Sequence, residues 1–259
     1  MEGLLYALVI IIANSIGAIS GMGGGVLIKP ILDTIGAHSV AEISFFSTVA
    51  VFVMSIVSTG RQIKNGVKIN MKLVLFVATG AIIGGVLGNQ VFQWFLTQFA
   101  DEQHVKLIQI ILTIATLIFA YYHSRNKSYT LNLSALVYYL ICGFILGFTA
   151  SFLGIGGGPI NVSLLVLMFS MSLKDATVYS IVIIFFSQFA KLVTIYLEGS
   201  AAQFDLGMLA YIIPAAVIGG LLGAQLNRKM SEEQITRFFQ WVIIIVVLIN
   251  LYNGWQVIF

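Results

Sequence analysis

Charge is scarce in this chain: Asp, Glu, Lys and Arg make up 9% of its 259 residues, against 59% hydrophobic ones. Soluble globular domains carry roughly 25% charge, so that class is excluded. One cysteine is present, Cys142, inside an apolar run. It excludes an intramolecular disulfide and a cysteine-based metal cluster. The three histidines, His38, His104 and His123, fall at the ends of apolar segments and do not cluster, so no metal site is expected. No Gly-Lys-Ser/Thr occurs, which removes a nucleotide-binding loop. Met1-Glu2-Gly3 lacks the basic start of a cleavable signal peptide, so the first apolar run is expected to stay. No polar stretch reaches domain size, and no appended soluble domain is expected. No cofactor is indicated.

What is there are apolar runs separated by short polar breaks, the pattern of an all-α polytopic membrane protein whose main partner is the lipid bilayer. Gly21-Met22-Gly23-Gly24-Gly25 recurs as Gly154-Ile155-Gly156-Gly157-Gly158, an offset of 133. At the same offset, the stretch from Ser39 through Glu42 and Ser44 to Ser47 matches that from Ser172 through Asp175 and Thr177 to Ser180. Gly84-Gly85 and Gly88 match Gly219-Gly220 and Gly223, and Glu102-Gln103 matches Glu233-Gln234. The chain thus reads as two repeats, 1–124 and 125–259, of five apolar segments each. The spacing predicts segments at 3–20, 26–36, 40–59, 72–96 and 105–123, then at 131–153, 159–171, 173–197, 205–227 and 236–258. A spanning helix needs about 20 residues. The second segment of each half is short and directly follows a glycine break, which is the sequence mark of a transporter binding site.

Loop charges set the orientation. Arg61, Lys64, Lys68 and Lys72 crowd one loop, expected to be cytoplasmic together with Arg125 and Lys127. The corresponding loop of the second half has Glu198 and Asp205 and no basic residue, so it is expected outside. Asp101, Glu102 and Lys106 fall in an outer loop, whereas their counterparts include Arg228, Lys229 and Arg237. The halves are therefore expected to be inverted in topology, with both termini outside. The net charge of +3 belongs to these loops and does not indicate nucleic-acid binding.

Short helices beginning near Val26 and Pro159 would point unpaired N–H groups and positive dipole ends at mid-membrane, where a small anion is favoured. Pro159 suits a first helical turn. The candidate substrate-binding residues are Gly23, Gly24, Gly25, Gly156, Gly157 and Gly158, with Asn161, Lys29, Ser47, Ser180 and Gln188. Lys29 either donates to the substrate or snorkels to the interface. Ser47 and Ser180 either contact substrate or bond their own helix backbone. Gln188 and Lys191 are the most polar residues of the eighth segment, and snorkelling competes with function for Lys191. Ser39-x-x-Glu42 and Ser172-x-x-Asp175 read as capping boxes, so the two carboxylates are helix caps and not proton carriers. No acidic residue is expected to sit securely inside the membrane. Gly84, Gly85, Gly88 and their partners read as close helix packing.

The doubled Gly-x-Gly-Gly-Gly, each copy ending an apolar segment, resembles the sulfite exporter TauE/SafE family of bacterial membrane transporters. The resemblance covers essentially the full chain. It implies export or uptake of small sulfur-containing anions such as sulfite or sulfonates across the cytoplasmic membrane, by a non-enzymatic carrier. It maps onto Gly21, Gly23, Gly24 and Gly25 and onto Gly154, Gly156, Gly157 and Gly158. The second copy runs straight into Pro159, whereas the first reaches its proline only at Pro30. An anion channel built on the same breaks and a carrier of small carboxylates are the alternatives, with a proton or sodium ion as possible coupling partner.

Overall fold

The computed structural model describes residues 2–64, 70–99, 102–125, 130–155 and 157–258. Ten α-helices form among them: α1 Glu2–Ser20, α2 Gly25–Ile35, α3 Val40–Lys64, α4 Met71–Gln98, α5 Glu102–Arg125, α6 Leu136–Phe152, α7 Pro159–Phe169, α8 Leu173–Leu197, α9 Leu209–Lys229 and α10 Glu232–Ile258. Seven of the described helices, α1, α3, α4, α5, α8, α9 and α10, are long and apolar enough to cross a membrane. At 11 residues each, α2 and α7 reach only about 16 Å, half a bilayer core.

Side-chain chemistry sets the boundaries. Ser39 and Glu42 close a reciprocal capping box at the start of α3: Glu42 N–H donates to Ser39 Oγ at 3.2 Å and Ser39 N–H to Glu42 Oε2 at 3.3 Å. Ser172 caps α8 through Asp175 N–H at 3.0 Å, and Ser231 with Gln234 repeats the device at α10. The sixth segment begins later than its apolar run suggests. Leu131 and Leu133 lie outside the helix because their N–H groups bond the Leu167 and Met168 carbonyls, satisfying the open end of α7.

Packing is reciprocal between the halves. The first helix of each half lies along the fourth of the other, α1 on α9 and α6 on α4; α3 packs on α9 and α4 on α8. The third helices, α3 and α8, meet at the centre, and α5 pairs with α10. Small residues make these crossings close. A methyl at Gly143 would overlap the Val77 carbonyl and one at Gly80 the Leu140 carbonyl, so α4 and α6 touch backbone to backbone. Gly219 and Gly223 hold α9 equally near Ile11, Asn14 and Ser15 of α1. The packing reading of the Gly84 and Gly219 runs is what the structure shows. Gly143→Ala is expected to cost about 1–3 kcal/mol by overpacking. Gly60→Ala, with no atom within 4 Å of the new methyl, is expected to be neutral. Thermal unfolding of the purified variants checks the contrast, and equal midpoints would refute it.

The two ends of the bundle have different companions. At one end Tyr6 of α1 bonds His38 at 2.8 Å, Glu42 accepts the Asp205 N–H at 3.4 Å, and Phe45 stacks on Phe204 with centroids 4.7 Å apart. At the other, Arg61, Gln225, Arg228 and Lys229 line one crevice, and Lys174 Nζ donates to the Met230 carbonyl at 2.8 Å. Of the orientation charges read above, Lys68, Asp101 and Lys127 lie outside the described residues. Lys106 is not a loop residue: it sits on α5, half-buried.

Candidate functional site

The two glycine breaks meet in the interior. A methyl at Gly25, the first residue of α2, would overlap the Ile155 carbonyl of the second break. A methyl at Gly157 would stand 3.2 Å from the Met22 carbonyl oxygen of the first. Each break also leans on the third helix of the opposite half. Gly21 (φ 72°) abuts Thr177 of α8, and Gly154 (φ 66°) abuts Ser44 of α3. The left-handed turn that ends α1 and α6 needs glycine there, because a side chain would be both strained and in collision. The N-termini of α2 and α7 thereby come to one buried place, with Val26 fully enclosed and Asn161 1% exposed.

Gly23, Gly24, Gly25, Gly157 and Gly158 are all buried around this meeting point, whereas Gly156 lies outside the described residues. Ser47 is fully buried beside Gly25, 2.8 Å from where a methyl there would sit, and its hydroxyl has no partner. Ser180, its counterpart, is engaged: its hydroxyl donates to the Gly21 carbonyl and ties α8 to the first break. Both alternatives weighed for these serines are thus incomplete, since Ser180 bonds backbone of the other half, not of its own helix. Asn161, in the first turn of α7, is buried with neither side-chain atom paired. Gln188 is fully buried, its amide donating to Ser187 Oγ at 3.3 Å and its Oε1 unpaired. Buried polar atoms left unpaired cost free energy, and they are the groups a ligand can satisfy.

Lys29 neither snorkels nor points at the helix N-termini. It is 3% exposed and ion-paired to Asp33, one turn on, at 3.2 Å. That makes Asp33, 8% exposed, an acidic residue inside the bundle, contrary to the expectation that none would be secure there. Two charges of opposite sign four residues apart on a helix are a legible pairing signal, so Asp33 was within reach of the sequence.

Lys191 is the largest departure from the sequence reading. It does not snorkel; it is 1% exposed and reaches inward from α8. Its ammonium donates to Ser44 Oγ at 2.9 Å and to the Ser151 carbonyl at 3.1 Å, and lies 5.5 Å from the centre of the Phe92 ring. The stem of Lys29 passes the same spot, its Cδ 3.4 Å from a methyl placed on Gly154. Two lysines therefore converge beside the second break while the nearby carboxylate is held by one of them. A buried ammonium whose partners are a hydroxyl, a carbonyl and a ring carries a desolvation penalty of several kcal/mol that only an anion offsets well. The arrangement gathers two lysine side chains, the Ser44 and Ser47 hydroxyls and the N-termini of α2 and α7 around the breaks.

The family model described as Sulfite exporter TauE/SafE matches residues 6–250. The chain is similar to the probable membrane transporter protein YunE of Bacillus subtilis, 26% identical across 98% of this chain and 99% of that one. It is also similar to a probable membrane transporter protein of Methanocaldococcus jannaschii, 27% identical with 90% of each chain covered. The family match runs over nearly the whole length and fits the seven spanning-length helices among the described residues: the chain belongs to the sulfite exporter TauE/SafE family of multi-pass membrane transporters.

Proposed function

We propose that this protein is a secondary transporter that moves a small sulfur-containing anion, such as sulfite or a sulfonate, across the cytoplasmic membrane by alternating access. The observation that carries the reading is Lys191: a cation enclosed in the bundle beside two glycine breaks, with neutral hydrogen-bond partners. A tetrahedral or pyramidal oxyanion offers the charge and the several acceptor oxygens that Lys191, Lys29 and Ser47 together call for. A cavity bordering the second break, lined by Lys29, Asp33, Lys106, Gln109, Leu153 and Ile155 among others, has about 10 Å³ of room. That holds about one water and no oxyanion, and in alternating access a rocking of one half on the other would make the room.

Inverted halves with both termini outside are part of the same proposal. Support comes from the ends of the bundle. Arg61, which ends the third helix of the first half, shares a crevice with Arg228 and Lys229, which end the fourth helix of the second. The acidic α8–α9 connection meets Glu42 at the opposite end. These contacts support corresponding loops at opposite ends of the bundle, with the basic end read as cytoplasmic.

Purified protein is expected to be stabilised against heating by at least one of sulfite, thiosulfate and methanesulfonate, and not by chloride. At an anion concentration of 100 Kd the stabilisation is about 2.7 kcal/mol. A shift with small carboxylates alone would reject the sulfur-anion assignment, and no shift with any anion would reject the site.

A further inference from the structure

The cavity beside the second break holds chemistry that anion binding alone does not use. Asp33 presents one carboxylate oxygen, Oδ2, to Lys29, while Oδ1 is buried and unpaired. Gln109 of α5, 2% exposed, lines the same cavity; its amide donates to the Phe152 carbonyl at 2.7 Å and its Oε1 is unpaired. Asp33 and Gln109, each with one buried and unpaired side-chain oxygen, thus line the same one-water space, together with Lys106, Thr113 and Asn250. Lys106 Nζ does not serve them: it donates to the backbone carbonyl of Asp33 at 3.2 Å.

We propose that Asp33 is the proton carrier of this transporter, taking up one proton when the transported anion draws Lys29 away from it. The inference rests on the anion-transport reading above and adds the coupling ion. Lys29 is the shared element, because its stem runs past Gly154, where Ser44 and Lys191 stand, and its ammonium ends on Asp33. An anion arriving at Lys191 competes with Asp33 for Lys29. A carboxylate in that enclosure that loses its ion pair is disfavoured against the neutral acid, because the other nearby ammonium, Lys106, is engaged with the Asp33 backbone carbonyl. The exchange balances: the Lys29–Asp33 ion pair, an anion and a proton give a Lys29–anion pair and a neutral Asp33 acid. Gln109, whose Oε1 is unpaired, lines the same cavity, and that cavity has room for one water to accept the new O–H. Anion and proton then move together, and the charge inside the bundle is the same before and after loading.

The surroundings of Asp33 leave the role to it. From α1 comes Tyr6, bonded to His38 of the α2–α3 turn; from α3 comes Glu42, held in its capping box; from α5 comes Lys106. From α10 come the amides Asn250, which lines the cavity, and Asn253, which holds Thr34 at 2.6 Å and the Pro30 carbonyl at 2.8 Å. Lys29, on its own helix, is its ion-pair partner.

Two measurements on the full-length protein test this. Calorimetric titration with methanesulfonate, an anion charged at every working pH, is run in two buffers of different ionisation enthalpy. The wild type is expected to take up about one proton per anion bound, and Asp33→Asn to bind the anion at least as tightly with no proton uptake. Binding without proton uptake in the wild type, or uptake that persists in Asp33→Asn, overturns the proposal. Infrared spectroscopy needs no ligand. Lys29→Gln is expected to show the carbonyl stretch of a protonated carboxylic acid at neutral pH, absent from the wild type and from Lys29→Gln/Asp33→Asn. Its absence from Lys29→Gln also overturns the proposal. A protein that binds no anion yet shows this band counts against the transport reading while supporting proton uptake by Asp33.

Discussion

Replacing Lys191 with methionine is expected to abolish anion binding and transport while the protein remains folded. Methionine matches the length and flexibility of the lysine stem and removes the enclosed charge, so packing against Phe92 and α3 is kept. Replacing a buried charge by an apolar side chain of similar size is often neutral or stabilising. The variant should therefore melt no lower than the wild type. Function goes the other way. Losing a desolvated, hydrogen-bonded charge from an anion site costs about 2–5 kcal/mol, a fall in affinity of roughly 30-fold or more. Arginine is not expected to rescue it, because a planar guanidinium does not reproduce the compact ammonium that meets Ser44 Oγ and the Ser151 carbonyl. Uptake into proteoliposomes alongside a thermal melt reads both halves of this expectation. Undiminished uptake in a correctly inserted Lys191→Met protein would remove Lys191 from the site and the anion argument with it.

The second large effect is expected at Gly25. An added methyl collides with the Ile155 carbonyl and stands 2.8 Å from Ser47 Oγ. Backbone cannot rotate out of the way as a side chain can, so the two breaks must separate. Overpacking of this kind costs about 1–3 kcal/mol, and here it also moves the helix N-termini that face the site. Gly25→Ala should lose most transport and melt earlier. Gly158→Ala is the matched control. Its φ of 174° is extended backbone open to any residue, and the nearest atom to its methyl is the end of the Ile155 side chain at 3.2 Å. A Gly25→Ala protein as active and as stable as Gly158→Ala would show that the contact between the breaks does not matter.

Much of this architecture was legible in the chain. Helix-breaking glycines, capping boxes and spanning lengths are local properties, and α2, α7, α8 and the box at Ser39 fall where local chemistry puts them. The late start of α6 was not legible, because Leu131 and Leu133 read as apolar helix until the carbonyls of α7 claim their N–H groups. Lys29 and Asp33 sit within one turn of each other, and their pairing was there to be read.

The partners across the halves were beyond any local signal. Ser47 and Ser180 occupy equivalent positions, yet one hydroxyl is free and the other bonds Gly21, a residue 159 positions away. Lys191 shows the same thing with larger consequences. A lysine two turns from a helix end snorkels or turns inward depending on what the neighbouring helices offer. Here α3 offers Ser44, 147 positions away, and α6 offers the Ser151 carbonyl. By itself the sequence determined a helical membrane protein, its two glycine breaks and its basic loops, since helix formation and bilayer partitioning depend on composition and spacing along the chain. Only the tertiary structure decided that the breaks touch, that Lys191 is enclosed beside them and that Asp33 holds Lys29, because distances between helices follow from packing across the two halves.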